Sequence, residues 1–286
     1  MDTQLLSQIA LPVILATMML AMGLTLKLEH FKVIGQQPKP AILGLTLQLF
    51  ALPAIAWIVI WIYQLPAITA AGLLLLSVAP GGATSNVLSY LSKGNLALSI
   101  ALTSITSLIA PISIVLLTEI NFSLLNFESE SFKLPWLQTI MQLLIVTVIP
   151  VVTGMLLLKR FPGLVAKLQP TINKVSGSLM ILLVIMLAVT SWSNFPSLFS
   201  QPSAAVFTLI LIAMSTGYFT ARLMNCSNSD SRTLLMEVGI QNAGTAMMVA
   251  YSLLNKPELA IIPLFYGVAM NLPAFAVITY IQMNKR

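Results

Sequence analysis

Glu237 is an acidic residue in the interior of an apolar stretch of this sequence. If that stretch crosses a membrane, its carboxyl group has to be protonated, paired or bound to a cation. We expect no lysine or arginine at a comparable depth, which leaves a cation or a proton as its companion. Other apolar stretches carry side chains with neutral oxygen atoms: Gln48, Ser85, Asn86, Ser99, Thr103, Gln241 and Asn242. Hard cations prefer carboxylate, amide and hydroxyl oxygens, so these residues predict a cation site around Glu237.

The elements that must position these residues are transmembrane helices. Of the 286 residues, 58% are hydrophobic and 8% are charged, whereas a soluble domain carries roughly a quarter charged residues. Nine apolar runs reach about the 20 residues that a helix needs to cross a bilayer. The predicted helices cover residues 5–26, 40–63, 67–92, 95–118, 135–158, 170–193, 203–223, 231–254 and 259–282. The sequence therefore predicts an all-α membrane protein with a single transmembrane domain, residues 1–286.

The basic residues indicate how the chain is oriented in the membrane. With the N-terminus outside, all of the 14 lysines and arginines except Lys133 and Lys256 fall on the cytoplasmic side, as the positive-inside rule expects. The net charge of +6 does not indicate nucleic-acid binding, because the basic residues are scattered singly. We expect a multi-pass protein of a bacterial inner (plasma) membrane, with the lipid bilayer as a partner and the C-terminus in the cytoplasm.

Two of the predicted helices contain helix-breaking residues near their middles. The third contains Pro80, Gly81 and Gly82, and the eighth contains Gly239 and Gly244. Unwound backbone at membrane depth is tolerated only where it is buried in protein or lines a wet cavity. The breaks take equivalent positions in two halves of opposite orientation, which predicts an inverted repeat of residues 5–118 and 170–282, with helix five (135–158) between them. In secondary transporters such paired breaks mark the substrate and ion site.

Two motifs resemble those of the bile acid:sodium symporter family. The first runs from Pro80-Gly-Gly-Ala-Thr-Ser85-Asn86 through Ser99 to Thr103, and the second is Glu237-Val-Gly-Ile-Gln241-Asn242. Two shorter segments are similar to family patterns as well, namely Met22-Gly-Leu-Thr-Leu and Gln48 followed by Pro53 and Trp57. The resemblance covers almost the whole chain. It implies a panel domain and a core domain, with the two discontinuous helices crossing at the membrane midplane.

The resemblance also implies two sodium ions behind the crossing, and we expect no organic cofactor. The first sodium site would use Ser85, Asn86, Ser99, Thr103 and Glu237. The second would use Gln48, Glu237 and Gln241, with the backbone carbonyls of Val238 and Ile240. Bacterial relatives have ten helices, whereas this chain begins like the nine-helix animal members. The difference bears on dimerisation, and we expect a monomer or a weak homodimer.

Sodium-coupled symport of an organic anion by alternating access is the function that the resemblance implies. The family carries bile acids and smaller carboxylates such as 2-keto acids or pantoate, and the sequence does not select among them. Half-helices that begin near Gly82 and Asn242 would attract an anion, because a helix N-terminus carries partial positive charge. We expect substrate contacts from Thr84, Asn242 and Asn271.

Two alternatives to this interpretation are a proton-coupled carrier and an intramembrane enzyme. A proton-coupled carrier or sodium/proton exchanger with crossed broken helices would use Glu237 as the titrating group, although exchangers commonly place acidic pairs at the crossover. An intramembrane aspartyl protease needs two facing carboxylates, and a zinc protease needs a histidine cluster. The sequence has a single histidine, His30, in a predicted loop. We therefore expect that the protein is not an enzyme.

Overall fold

A computed structural model of the protein describes residues 9–125, 135–190 and 201–284. Within these ranges the regular structure is helical, apart from one isolated antiparallel bridge between Gly81 and Gln241. The α-helices of the first half are α1 (Leu11–Gly23), α2 (Leu28–Gln36), α3 (Pro38–Thr46), α4 (Leu52–Tyr63), α5 (Ala67–Ser77), α6 (Thr84–Leu91) and α7 (Leu96–Leu124). Those of the second half are α8 (Trp136–Leu143), α9 (Ile149–Arg160), α10 (Pro162–Thr190), α11 (Gln201–Leu223), α12 (Asn228–Gly239), α13 (Ala243–Met248), α14 (Ile261–Ala269) and α15 (Asn271–Met283). The expected all-α fold class is confirmed for the described residues.

Several of these helices are long enough to cross a membrane. Among the described residues, five continuous helical segments have the required length and apolar composition: Pro38–Tyr63, Leu96–Leu124, Trp136–Arg160, Gln201–Leu223 and Pro257–Met283. They coincide with the predicted helices two, four, five, seven and nine. A sixth span results if α1 and α2, which meet at an angle of 70°, are counted together. Residues 5–8 and 191–193 of the predicted helices lie outside the described residues, as do Lys133, Lys285 and Arg286.

The segment that the sequence predicts as the first cytoplasmic loop contains a helix. The α2 helix follows α1 after a sharp bend, and none of its residues is fully buried. Its apolar residues Phe31 and Ile34 are half-buried, whereas Lys32 and Gln36 are exposed. This pattern of half-buried apolar and exposed polar residues is typical of an amphipathic helix at a membrane interface.

Two π-turns interrupt spanning helices just before prolines. The turn Leu47–Ala51 joins α3 to α4, and the turn Leu144–Val148 joins α8 to α9. Pro53 and Pro150 lack the N–H that would bond to the carbonyl four residues earlier, so the helix widens at these points. The first π-turn carries the buried side chain of Gln48.

The two predicted breaks are confirmed, and the broken helices meet at them. The third predicted helix divides into α5 and α6, and the eighth divides into α12 and α13. The Gly82 N–H donates to the Ile240 carbonyl at 3.0 Å, and the Asn242 N–H donates to the Pro80 carbonyl at 2.9 Å. Each break thereby satisfies backbone groups of the other, which lipid could not do.

Candidate functional site

Glu237 is fully buried at the crossing of the two broken helices. It lies in the last turn of α12, one turn before the break, and its carboxylate is surrounded by hydroxyl groups. Ser85 Oγ donates to Glu237 Oε1 at 2.5 Å, and Thr103 Oγ1 donates to Oε2 at 2.8 Å. Ser99 Oγ also donates to Oε1. The described contacts of this carboxylate are therefore neutral hydroxyls rather than a basic side chain.

Asn86 adds a second acceptor to the same cluster. Its Oδ1 lies 2.9 Å from Ser99 Oγ and 3.5 Å from Thr103 Oγ1. Each hydroxyl has one hydrogen to donate, whereas carboxylate and amide oxygens only accept. Ser99 thus faces two acceptors and can satisfy one of them. Such a surplus of oxygen lone pairs is suited to a hard cation. We call these five residues, Ser85, Asn86, Ser99, Thr103 and Glu237, the hydroxyl group.

The five residues of the hydroxyl group lie on three helices, α6, α7 and α12. Ser85 and Asn86 lie in the first turn of α6, directly after the first break. Ser99 and Thr103 are four residues apart on α7, so both point from one face of that helix. Asn95 caps α7, since its side chain accepts from the Leu98 N–H at 3.2 Å, and this fixes the start of α7 one turn before Ser99.

A second set of oxygens lies beside Glu237. The side-chain oxygens of Gln48 and Gln241 are buried and have no hydrogen-bond partner within the described part of the chain. Their amide nitrogens are engaged: Gln48 Nε2 donates to the Glu237 carbonyl at 3.1 Å, and Gln241 Nε2 donates to the Val238 carbonyl at 2.9 Å. A buried acceptor without a donor is costly, so two of them beside a carboxylate are chemically suited to a cation. We call Gln48 and Gln241 the amide group.

The backbone carbonyls expected in the second sodium site already accept hydrogen bonds. The Val238 carbonyl receives Gln241 Nε2, and the Ile240 carbonyl receives the Gly82 N–H. A carbonyl oxygen has a second lone pair, so both remain available as ligands. The five residues expected for this site, including Gln48 and Glu237, are brought together at the second break.

Gly81 separates the hydroxyl group from the amide group. A Cβ atom at this position would lie 2.8 Å from Gln48 Nε2, 3.2 Å from Glu237 Oε2 and 3.5 Å from Thr103 Oγ1. The missing side chain therefore keeps open the space between the two groups. The sequence identifies Gly81 as a helix breaker. It does not show that a side chain at this position would enter the site.

Tyr266 is a further residue of the site that sequence reasoning missed. It lies on α14, is fully buried, and donates its hydroxyl to the Gly239 carbonyl at 2.9 Å. That carbonyl belongs to the second break, between Val238 and Ile240. Gly239 is itself confined, because a Cβ atom there would lie 2.2 Å from Met214 Cγ. The sequence feature that could have indicated this contact is a tyrosine in an apolar helix, because a buried tyrosine hydroxyl needs a hydrogen-bond partner.

The three residues expected to contact substrate occupy different environments. Asn242 is buried and caps α13, since its Oδ1 accepts from the Thr245 N–H at 3.1 Å. Thr84 is exposed at the start of α6. Asn271 donates to the Gly267 carbonyl of its own helical stretch at 2.9 Å, and its helix α15 packs against α6. Within the described residues no hydrogen bond joins these three side chains.

Comparison with known proteins gives consistent matches. The sequence model of the Sodium Bile acid symporter family matches residues 12–201. An uncharacterized sodium-dependent transporter of Bacillus subtilis (strain 168), YocS, is 29% identical over 272 residues, covering 94% of this chain and 81% of that protein. A probable chloroplastic sodium/metabolite cotransporter of Arabidopsis thaliana is 29% identical over 246 residues, or 85% of this chain and 59% of the relative.

A human relative extends the comparison to animals. Sodium/bile acid cotransporter 4 of Homo sapiens is 29% identical over 229 residues, which are 78% of this chain and 51% of the relative. The chain thus spans most of the bacterial relative and between half and three-fifths of the plant and human proteins.

Proposed function

The chain belongs to the sodium bile acid symporter family, and from this premise we propose that it couples the entry of sodium to the transport of an organic anion. The family consists of sodium-coupled transporters, so the protein is a multi-pass membrane protein and not an enzyme. The relatives are described as sodium-dependent transporters and as cotransporters of sodium with metabolites or bile acids. Their shared sodium dependence supports the choice of coupling ion.

The observation that carries the proposal is the environment of Glu237. Its carboxylate is fully buried and is contacted by Ser85, Ser99 and Thr103, which carry no charge. A buried charge is costly unless it is paired or coordinates a metal ion. A sodium ion held by the same hydroxyl oxygens would supply the missing positive charge.

Two sodium ions fit the division of the oxygens into two sets. One ion would be bound by the hydroxyl group, and the other by the amide group together with the carbonyls of Val238 and Ile240. Glu237 would contribute to both sites. Gly81 supports this division, because the absence of its side chain keeps the space between the two sets open.

Sodium would couple to substrate through the crossing of the broken helices. The five residues of the hydroxyl group lie on α6, α7 and α12, so an ion bound to them would hold these three helices together. The substrate anion would bind at the ordered N-terminal end of α6 beside Thr84, Asn242 and Asn271. Linkage requires that substrate in turn increases the affinity for sodium. We propose nine spanning helices in inverted repeats, with core and panel domains that move relative to each other to expose the site alternately.

The melting temperature of the purified protein in sodium tests this proposal. A ligand that binds the native state raises stability by about 2.7 kcal/mol at 100 times its dissociation constant. We expect sodium to raise the melting temperature by about 5 °C or more relative to potassium at equal ionic strength. Glu237→Gln should abolish the difference, whereas Glu119→Gln, at the outer end of α7, should retain it.

The proton-coupled alternative makes a different prediction in the same experiment. If Glu237 exchanges a proton instead of binding sodium, the melting temperature should depend on pH and should be the same in sodium and potassium. An equal response to both ions in the wild-type protein would therefore exclude the sodium sites and favour the proton-coupled carrier.

A further inference from the structure

A cavity of about 820 Å³ lies between α2, α7 and α9. None of the residues of the hydroxyl group, of the amide group or of the expected substrate site lines it. Its volume falls within the range of about 300–1,000 Å³ that is typical of small-molecule sites. The cavity is therefore a separate feature that sodium coupling does not explain.

The helices around the cavity are held by contacts that lie outside it. The α7 helix contacts α8 outside the cavity, where Trp136 Nε1 donates to Glu119 Oε2 at 3.2 Å. The α9 helix packs closely on α1 instead, since a Cβ atom at Gly154 would lie 2.7 Å from the Gly23 carbonyl carbon. The α1–α2 bend of 70° then carries α2 across to α7, and the gap below it stays open.

The walls of the cavity are mostly apolar, and its few charged residues include two lysines. Nine of its twelve lining residues are apolar, and the other three are Lys27, Glu29 and Lys159. Lys27 and Glu29 lie at the start of α2, and Lys159 lies in the last turn of α9. Burial and the nearby Lys27 lower the pKa of His30, which disfavours a further positive charge on its imidazole. The two lysines and one glutamate thus give the lining a net positive charge.

The cavity is open to the surroundings of the protein, and apolar side chains lie exposed at its opening. Two of its lining residues, Leu28 and Leu156, are 63% and 61% exposed. Basic pockets between transmembrane helices at a membrane surface bind anionic lipid head groups. We propose that this cavity binds one anionic phospholipid, with its phosphate near Lys27 and Lys159 and an acyl chain along Leu108 and Leu156.

Native mass spectrometry of the full chain, titrated with lipid, tests the proposal. Phosphatidylglycerol is compared with phosphatidylcholine in wild-type protein, in Lys27→Gln/Lys159→Gln, and in the control Lys32→Gln/Lys167→Gln. The control removes equal charge from exposed residues of α2 and α10 that do not line the cavity. We expect one phosphatidylglycerol bound about tenfold more tightly than phosphatidylcholine, a loss of about tenfold in the cavity variant, and a change below about twofold in the control.

Four outcomes would contradict the assignment. Equal binding of the two lipids would mean that the cavity does not select an anionic head group. An equal loss of lipid affinity in the two lysine variants would mean that binding depends only on general surface charge. Displacement of the lipid by inorganic phosphate at equal concentration would indicate a site for a free anion instead. Leu156→Trp tests the apolar part, because it narrows the cavity while keeping both lysines, and full retention of lipid in this variant would contradict the position of the acyl chain. Sodium-dependent melting, measured in parallel, reports on folding independently.

Discussion

The two broken helices contribute different things to the same site. The break between α5 and α6 contains a proline and two glycines, and its ligands Ser85 and Asn86 follow it on α6. The break between α12 and α13 has no proline and carries Glu237 and Gln241 within or beside its unwound segment. One break therefore provides space and neutral oxygens, whereas the other provides the charge.

The difference extends to how each break is held in place. The Pro80–Gly82 segment is held by backbone hydrogen bonds to the opposite break and by the Gly81 N–H, which donates to Thr106 Oγ1 at 3.3 Å. The segment around Gly239 is fixed in addition by a tyrosine hydroxyl from α14 and by close contact with Met214. Each break thus has one side-chain hydrogen bond besides the shared backbone pair, and the charged break is in addition confined by Met214.

Filling the space at the first break should have the largest effect. In Gly81→Ala the new Cβ would lie 2.8 Å from Gln48 Nε2 and 3.2 Å from Glu237 Oε2. Overpacking of this kind costs about 1–3 kcal/mol, so we expect the half-saturating sodium concentration for stabilisation to rise about 30-fold. Gly35→Ala is the matched control, because nothing lies within 4 Å of a Cβ there. Similar sodium affinities in the two variants would mean that Gly81 does not border the ion sites.

Loosening the second break should have a smaller effect. Tyr266→Phe removes the hydroxyl that bonds to the Gly239 carbonyl and leaves a buried acceptor unsatisfied, at a cost of about 1–3 kcal/mol. We expect sodium affinity to fall about tenfold, measured by sodium titration of the melting temperature. Tyr63→Phe serves as the control. The hydroxyl of Tyr63 lies 2.8 Å from Thr208 Oγ1, and this pair is not part of either break. If both variants lose general stability but keep the wild-type sodium response, the tyrosine has no role in positioning the break.

Part of this comparison could be predicted from the sequence and part could not. The breaks were predictable because Pro80, Gly81 and Gly82 interrupt an apolar run, and Glu237 was identifiable as a carboxylate at membrane depth. The contact between Tyr266 and Gly239 joins residues 27 positions apart through tertiary packing, so no local pattern indicates it. The α2 helix was missed since its charged residues suggest a loop, although its apolar residues share a face.

The smallest effect is expected outside both breaks, at the thiol of Cys226. It lies in the turn between α11 and α12, where burial and the nearby Asp230 raise the pKa of its thiol. A raised pKa lowers the thiolate fraction at neutral pH, so maleimide labelling at pH 7 should be slow and should accelerate as the pH rises. Gly35→Cys in a Cys226→Ala background provides an exposed thiol for comparison. Equal labelling rates at pH 7 would contradict the buried environment of Cys226.

The most direct test of the central claim is the number of sodium ions bound by the purified chain. Equilibrium binding of radioactive sodium should give two ions per wild-type protein. It should give none with comparable affinity in Glu237→Gln, because the carboxylate would contribute to both sodium sites. Ser99→Ala, which changes the hydroxyl group alone, should retain one ion. Two ions bound with unchanged affinity in Glu237→Gln would contradict the assignment of Glu237 as the residue shared by both sites.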